Sequence, residues 1–254
     1  MSYETIRVRF QEPICFLQFY RPGSNNTINE KMIEECHHVL DLCEETITVI
    51  VLEGLEEFFC FGADFQEIYD KRKSEQGPEK DSSALYNLWF RLATGPNITV
   101  SHVHGKTNAG GVGFVAASDV VIANQSANFS LSELLFGLFP AIVLPFLIRR
   151  IGYQKANYMT LMTKPISAPT AQEWGLVDVH GVQSEILLRQ HLLRFRHISK
   201  DAIRAYKGYM AELYEPLYRF KPLSIAANQK LFSDARNLES ISRFVQSGKL
   251  PWED

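Results

Sequence analysis

The sequence has little cysteine and no excess of basic charge. Its 254 residues include four cysteines, none of them in a C-x-x-C arrangement: Cys15, Cys36, Cys43 and Cys60. Because each lies within an apolar pattern, we expect buried free thiols rather than disulfides or metal ligands. The formal net charge of −3 provides no basic surplus for binding nucleic acid or an anionic membrane surface.

Long apolar runs are also missing. No segment approaches the roughly 18 apolar residues of a membrane span. The N-terminal residues show no cationic stretch followed by an apolar one, so we expect no secretory leader and a cytoplasmic protein. The hydrophobic content of 46% is ample for a sizeable core. The length fits one domain with an appendage.

Strand and helix patterns alternate along the first half of the chain. Alternating apolar residues at 6–10 and 14–19 predict a hairpin, and strands are predicted at 49–52, 98–103 and 120–122. Helical spacing is found near 32–43, 64–71, 83–93 and 110–118. Repeated strand–helix crossovers predict an α/β fold with a mostly parallel sheet covered by helices. The polar residues 71–83 are predicted to form a mobile surface loop.

Beyond Pro140 the pattern becomes mainly helical. A short capped helix is predicted at 167–174 and a last strand at 177–179, and only helical periodicity follows residue 182. We therefore expect a core over residues 1–182 and a helical region over 183–254. An aromatic stripe in that region is either internal packing or a surface for a neighbouring subunit. Its members are Tyr206, Tyr209, Met210, Leu213, Tyr214, Leu217 and Tyr218.

The segment NAGGVGFVAAS, residues 108–118, concentrates glycine before an apolar helix. One interpretation is a dinucleotide fingerprint, Gly111-x-Gly113-x-x-Ala116. Its late position in the chain, and the lack of an acid after the next strand, disfavour that interpretation. The other pairs this loop with FCFGADF at 59–65, which also leaves a strand through a glycine and enters a helix. Two helix N-termini would then present N–H groups to an oxygen that gains negative charge.

Several motifs together resemble the enoyl-CoA hydratase (crotonase) superfamily. They are Gly62-Ala63-Asp64, Gly105 with Ala109-Gly110-Gly111, FSLSELLFG at 129–137 with Pro140, and Ile166-Ser167-Ala168 through Gly175-Leu176-Val177. The resemblance covers roughly residues 5–182. It implies a spiral of ββα units and a helical C-terminal region that builds trimers or hexamers. It also implies an acyl thioester substrate on a phosphopantetheine arm, with no further cofactor and no metal.

The resemblance also implies catalytic residues. The backbone N–H groups of Ala63 and Gly110 correspond to the oxyanion hole, and Glu133 to the carboxylate that moves the proton beside the thioester carbonyl. Gly113 stands where hydratases have their other catalytic glutamate. The departing hydroxyl would then be protonated by Glu133 itself, by water in the space left at position 113, or with help from Asp64. Asp64 is alternatively a helix cap.

Three stretches resemble one branch of that superfamily, the dehydratases of polyketide β-branching cassettes: NAGGVGFV at 108–115, SLSELLFG at 130–137 and LPFLIRRIG at 144–152. That resemblance implies dehydration of 3-hydroxy-3-methylglutaryl on an acyl carrier protein to 3-methylglutaconyl, with a sister crotonase decarboxylase acting next. An isomerase, a decarboxylase and a non-catalytic carrier-binding subunit remain alternatives. Residues 141–145, AIVLP, replace the usual glycine-rich run, which predicts a bulkier wall for the acyl pocket.

Other charged or metal-binding residue types give weaker signals. His102 and His104 alternate on a strand, but no acid or cysteine close in sequence completes a metal site, so none is expected. Arg149 and Arg150 are either partners for an anionic carrier or the substrate's distal carboxylate, or charges on a helix surface.

Overall fold

The computed structural model describes residues 3–73 and 82–253. The first half contains β1 (Ile6–Gln11), β2 (Ile14–Phe19), α1 (Glu30–Leu42), β3 (Val49–Glu53), β4 (Phe58–Cys60), α2 (Phe65–Lys73), α3 (Ser82–Thr94), β5 (Ile98–Val103), β6 (Lys106–Asn108) and α4 (Gly110–Ala117). The second half contains β7 (Val120–Asn124), β8 (Asn128–Ser130), α5 (Leu144–Met162), β9 (Ile166–Ser167), α6 (Ala168–Trp174), β10 (Val179–Gly181), α7 (Ser184–Phe195), α8 (Lys200–Leu213), α9 (Pro216–Ser233) and α10 (Ala235–Ser247).

The strands form two sheets. The larger has the order β1-β2-β3-β5-β7-β10, with an antiparallel hairpin at one edge and parallel pairs elsewhere. The smaller has the order β4-β6-β8-β9. The pairs β3/β4, β5/β6 and β7/β8 each give one strand to each sheet before the chain turns into a helical segment. This repetition is the ββα spiral expected from the resemblance, and the α/β class is confirmed.

The core lies between the larger sheet and the helices. Trp89, Phe114 and Phe146 are fully buried there and pack edge to face around one another. The four cysteines are all buried and free, as expected. No helix in the described ranges 3–73 and 82–253 is long and apolar enough to cross a membrane.

Two sequence-based boundaries change in the structure. The last strand occupies Val179–Gly181 rather than 177–179, because Val177 and Leu176 turn inward after α6 and are buried. In the predicted loop at 71–83, residues 71–73 complete α2 and 82–83 begin α3, so the loop prediction is wrong at both ends. The remainder of that predicted loop, 74–81, lies outside the described residues.

The C-terminal helices pack on the body in two places. α9 lies against α3, where the Tyr86 hydroxyl donates to the Leu217 carbonyl at 2.6 Å. α10 lies against α2, where Phe244 stacks edge to face on Phe65 at a centroid distance of 6.4 Å. The aromatic stripe is divided: Leu217 is buried, whereas most of its members are exposed, namely Tyr206, Tyr209, Met210, Leu213 and Tyr218. The boundary between residues 182 and 183 stays a prediction.

Candidate active site

Two glycine loops meet at the opening of a cavity. Gly62 has a φ of +85°, and a Cβ on it would lie 2.7 Å from the Cβ of Ala109 and 2.9 Å from the amide nitrogen of Gly110. Only glycine permits both this conformation and this approach. The Gly62 carbonyl accepts from the N–H of Ile28 at 2.7 Å, and the Asp64 N–H donates to the Ile28 carbonyl at 3.1 Å. The N–H of Ala63 lies between these bonds and takes part in neither.

The second loop presents the N–H of Gly110 at the first residue of α4. Ala109 precedes it with φ 51° and ψ −122°, a conformation that costs a non-glycine residue about 1–3 kcal/mol. The Ala109 N–H is anchored on the Ser130 carbonyl at 2.9 Å. Within the described part of the chain, neither Ala63 N–H nor Gly110 N–H donates to a protein acceptor. Both residues line the same cavity.

The remaining glycines of the second loop serve packing. A Cβ on Gly111 would lie 2.2 Å from the carbonyl oxygen of Cys60, so α4 approaches β4 closely. A Cβ on Gly113 would lie 2.4 Å from Cζ2 of Trp89. These contacts account for the glycines without a dinucleotide. They also correct one sequence-based alternative: the space at position 113 holds an indole ring rather than water.

Glu133 begins a 3-10 turn, Glu133–Phe136, that follows β8. It lines the cavity, and its Oε2 atom is buried with no hydrogen-bond partner among the described residues. Burial raises the pKa of the Glu133 carboxyl to about 7, although the nearby backbone N–H groups of Glu133 and Ser132 partly oppose the shift. A carboxyl group with this pKa can both accept and return a proton near neutral pH.

Two hydrogen bonds that no sequence pattern indicated connect the strands that carry these groups. The Asn108 side chain donates to Ser132 Oγ at 2.8 Å and accepts from Ser130 Oγ at 2.8 Å. Asn108 closes β6 just before the Gly110 amide, whereas Ser132 directly precedes Glu133. The bridge therefore ties the candidate oxyanion loop to the carboxylate turn.

Asp64 lines the same cavity, but its oxygens are engaged. Oδ1 accepts from the Glu67 N–H at 3.1 Å and so caps α2, and Oδ2 accepts from Arg21 at 2.9 Å and Thr27 at 3.1 Å. Burial opposes ionisation of this carboxyl, but the Glu67 N–H and the Arg21 guanidinium outweigh it and hold the pKa below its usual value. Asp64 is therefore ionised at neutral pH and has no proton to donate, so the geometry favours the cap.

The cavity has a volume of about 990 Å³. Its wall beyond Pro140 is formed by Ile142 and Val143, in agreement with the bulkier wall expected from the sequence. Residues of α9 and α10 complete the lining, including Asn228, Phe232 and Phe244, so the C-terminal helices take part in the site. The charged groups among its described lining residues are all acids: Glu30, Glu34, Asp64 and Glu133.

Arg149 and Arg150 do not line the cavity. Arg149 donates to the carbonyls of Ala116 and Ala117 at the end of α4, and Arg150 bonds Asp178 and the Leu176 carbonyl. Both side chains are partly buried and hold helix ends rather than project from a surface, which modifies the second interpretation. Because neither lines the cavity, the structure does not support contact with the substrate's distal carboxylate, and binding of an anionic carrier stays a prediction.

The histidine pair lies outside the cavity, and the expectation that no acid stands beside it is wrong. The fold brings Glu185 to 3.3 Å from His104 Nε2, so an acid does complete a three-residue set with His102. Ser184 Oγ lies 3.0 Å from His102 Nε2 and 3.2 Å from His104 Nε2. Hydrogen bonds through this hydroxyl account for the positions of both rings.

Comparisons with known proteins show which family the chain is similar to. Residues 9–254 match the model of the family described as enoyl-CoA hydratase/isomerase. The chain is 57% identical to bacillaene synthase dehydratase PksH of Bacillus subtilis over 100% of this chain and 98% of that protein. A crystal structure of the polyketide biosynthesis enoyl-CoA hydratase pksH from Bacillus subtilis superposes with a TM-score of 0.96 over 98% of this chain and 100% of that one, at 56% identity. Mevalonyl-coenzyme A hydratase sidH of Aspergillus fumigatus is 31% identical over 96% of this chain and 93% of its own length.

Proposed function

The chain belongs to the enoyl-CoA hydratase/isomerase family, and we propose that it dehydrates 3-hydroxy-3-methylglutaryl carried on an acyl carrier protein to 3-methylglutaconyl. It is an enzyme of the hydro-lyase class. The observation that carries the proposal is the composition of one cavity. Two backbone N–H groups and one carboxylate oxygen line it, and none of the three has a hydrogen-bond partner in the part of the chain that the structure describes.

This set of groups matches the chemistry of elimination beside a thioester. The hydrogen on C2 of a thioester is too weakly acidic for a carboxylate to remove unless the carbonyl oxygen takes up the negative charge. The N–H groups of Ala63 and Gly110 would receive that oxygen, and a preorganised donor of this kind contributes roughly 3–4 kcal/mol in the transition state. Glu133 would take the proton from C2, a step that contributes about 10²–10⁴-fold.

Chemistry and similarity together support the proposed substrate. PksH is named as a dehydratase of bacillaene synthase, and this chain is similar to it over its whole length. The Aspergillus relative is named for mevalonyl-coenzyme A, whose acyl group carries a hydroxyl and a methyl on C3. A tertiary hydroxyl of this type departs more readily than a secondary one, which suits a site that has Gly113 in place of the second catalytic glutamate. The acyl group would arrive on phosphopantetheine, and no other cofactor is proposed.

We further propose a cytoplasmic homo-oligomer, a trimer or hexamer, that passes its product to a sister crotonase decarboxylase. The exposed aromatic stripe on α8 and α9 supports the oligomer, because a stable interface needs an apolar core. Sedimentation velocity of the purified protein tests this part. A monomer at micromolar concentration would contradict it.

Intact-mass analysis of the carrier protein tests the reaction. The purified chain is mixed with 3-hydroxy-3-methylglutaryl loaded on a carrier protein and, in parallel, on coenzyme A. Loss of one water without loss of carbon dioxide supports the proposal. The acyl carrier, protein or coenzyme A, that gives the faster water loss is the natural one. Loss of carbon dioxide would indicate a decarboxylase. A loaded carrier protein that keeps its mass and binds tightly would indicate a carrier-binding subunit. If an enoyl thioester is supplied instead, a shift of its double bond, which leaves the mass unchanged, would indicate an isomerase.

A further inference from the structure

A second buried polar group without a partner lines the same cavity. Trp89 is fully buried, and its Nε1–H has no hydrogen-bond acceptor among the described residues. Buried donors are nearly always paired in native proteins, so an unpaired one at a cavity wall is a candidate contact for a bound molecule. The indole N–H donates and does not accept. Its partner is therefore an acceptor atom of whatever fills the cavity.

The position of this N–H is fixed by its surroundings. Phe114 and Phe146 pack edge to face on the indole at centroid distances of 5.8 and 5.9 Å. The ring edge that faces Gly113 contains Cζ2, Cη2 and Cε2, at 2.4, 2.5 and 2.7 Å from a Cβ built on that residue. Cε2 is bonded to Nε1. The donor thus lies beside the place where a side chain at position 113 would otherwise stand.

We propose that Trp89 Nε1–H is a catalytic hydrogen-bond donor to the C3 oxygen of the substrate, the oxygen that leaves as water. This inference rests on the proposed dehydration. Two N–H groups already serve the thioester oxygen, and Glu133 serves the hydrogen on C2. Among the substrate's other acceptors, the C3 hydroxyl is the one bonded directly to a reacting carbon, and the indole N–H is a donor with no partner among the described residues.

The elimination balances with Glu133 as its one acid and base. The C2–H bond breaks, and the proton moves to the Glu133 carboxylate. The electron pair forms the C2–C3 double bond, and the C3–O bond breaks. The departing oxygen takes the same proton back from Glu133 and leaves as water, which restores the carboxylate. Trp89 supplies no proton: it orients the C3 oxygen and stabilises the negative charge that develops on it.

The test removes the N–H and keeps the ring. Site-specific replacement of Trp89 by β-(3-benzothienyl)alanine exchanges N–H for sulfur in a bicycle of nearly the same shape. The matched control is the same replacement at Trp174, which stacks on Tyr158 in another part of the fold. Two rates are measured for each protein: water loss from 3-hydroxy-3-methylglutaryl carrier protein, and hydrogen exchange at C2 of glutaryl carrier protein in D₂O. The glutaryl group has no C3 hydroxyl.

We expect kcat for water loss to fall about 10- to 100-fold at position 89, the range for a hydrogen bond to a charged oxygen. C2 exchange stays at the wild-type rate, and the control changes neither rate. Unchanged water loss at position 89, an equal fall in both rates, or a rise in KM alone would overturn the inference. If the wild-type protein exchanges the C2 hydrogen but dehydrates only other 3-hydroxyacyl thioesters, the proposed substrate is refuted. The comparison of water loss with C2 exchange, repeated with those thioesters, then still decides the role of Trp89. Wild-type protein that dehydrates none of them refutes both.

Discussion

Filling the space at position 113 is expected to damage the enzyme although it adds one methyl group. In Gly113→Ala the new Cβ lies 2.4 Å from Cζ2 and 2.5 Å from Cη2 of Trp89, whereas nonbonded carbons rest at about 3.5–4.0 Å. The indole must therefore retreat by roughly 1 Å or more. Phe114 and Phe146 pack edge to face against it and restrict that movement.

The magnitude follows from two opposing effects. Overpacking a close-packed core costs about 1–3 kcal/mol. Replacing glycine by alanine inside a helix stabilises the folded state by about 0.5–1 kcal/mol. These ranges bound the net loss in the free energy of unfolding at about 0–2.5 kcal/mol, and their midpoints give about 1 kcal/mol, which lowers Tm by roughly 2–4 °C in a chain of this length.

Thermal unfolding followed by circular dichroism measures the loss. Gly208→Ala in α8 is the matched control, because a Cβ there meets nothing within 4 Å. That variant should unfold at or above the wild-type temperature. The double variant Gly113→Ala, Trp89→Phe should show a favourable coupling energy, since phenylalanine lacks the clashing atoms. Wild-type stability and dehydration in Gly113→Ala would refute the packing account and weaken the role given to Trp89.

Three further predictions follow from buried ionisable groups. Because Glu133 must be ionised to accept the C2 proton, kcat/KM for dehydration should rise with pH through about 7 and level off above it, whereas a flat profile from pH 5 to 9 would contradict this role. The raised pKa also means that the folded state holds this proton more tightly than the unfolded state, so Glu133→Gln should be more stable than wild type at pH 8, with the difference lost towards pH 5. Lys207 is buried and donates to the Asn97 carbonyl at 2.8 Å and to Asp119 at 2.6 Å, so Lys207→Met should lower the free energy of unfolding by about 3–5 kcal/mol in urea titrations, and a loss near zero would show that Asp119 is solvated.

Local sequence patterns were sufficient for the larger sheet and most helices. The smaller sheet was missed because β4, β6 and β8 have three residues each and β9 has two, too few for any periodicity to be recognised. Their pairing is set by the repeat of the spiral, which brings distant segments into register. Glu185 reached the histidine pair in the same way, through the contact of α7 with the sheet.

The site was predictable where backbone motifs define it and not where side chains from separate elements meet. The loops around Ala63 and Gly110 carry glycine signatures, and the fold brings both into one cavity with Glu133. Trp89 gave no signal, because a tryptophan on a helix is normally core, and its relation to Gly113 arises from packing between α3 and α4. The capping role of Asp64 was among the sequence-based alternatives, but its hydrogen bonds with Arg21 and Thr27, more than 35 residues earlier in the chain, were not.

Dehydration rates of two isosteric variants test the central claim most directly. Glu133→Gln and Asp64→Asn each replace one oxygen by an amide nitrogen in an acid that lines the same cavity. With 3-hydroxy-3-methylglutaryl carrier protein followed by intact mass, Glu133→Gln should lose about 10²–10⁴-fold in rate, whereas Asp64→Asn should remain close to wild type with a lower Tm. Near wild-type dehydration by Glu133→Gln, together with its loss in Asp64→Asn, would contradict the account and reverse the two roles.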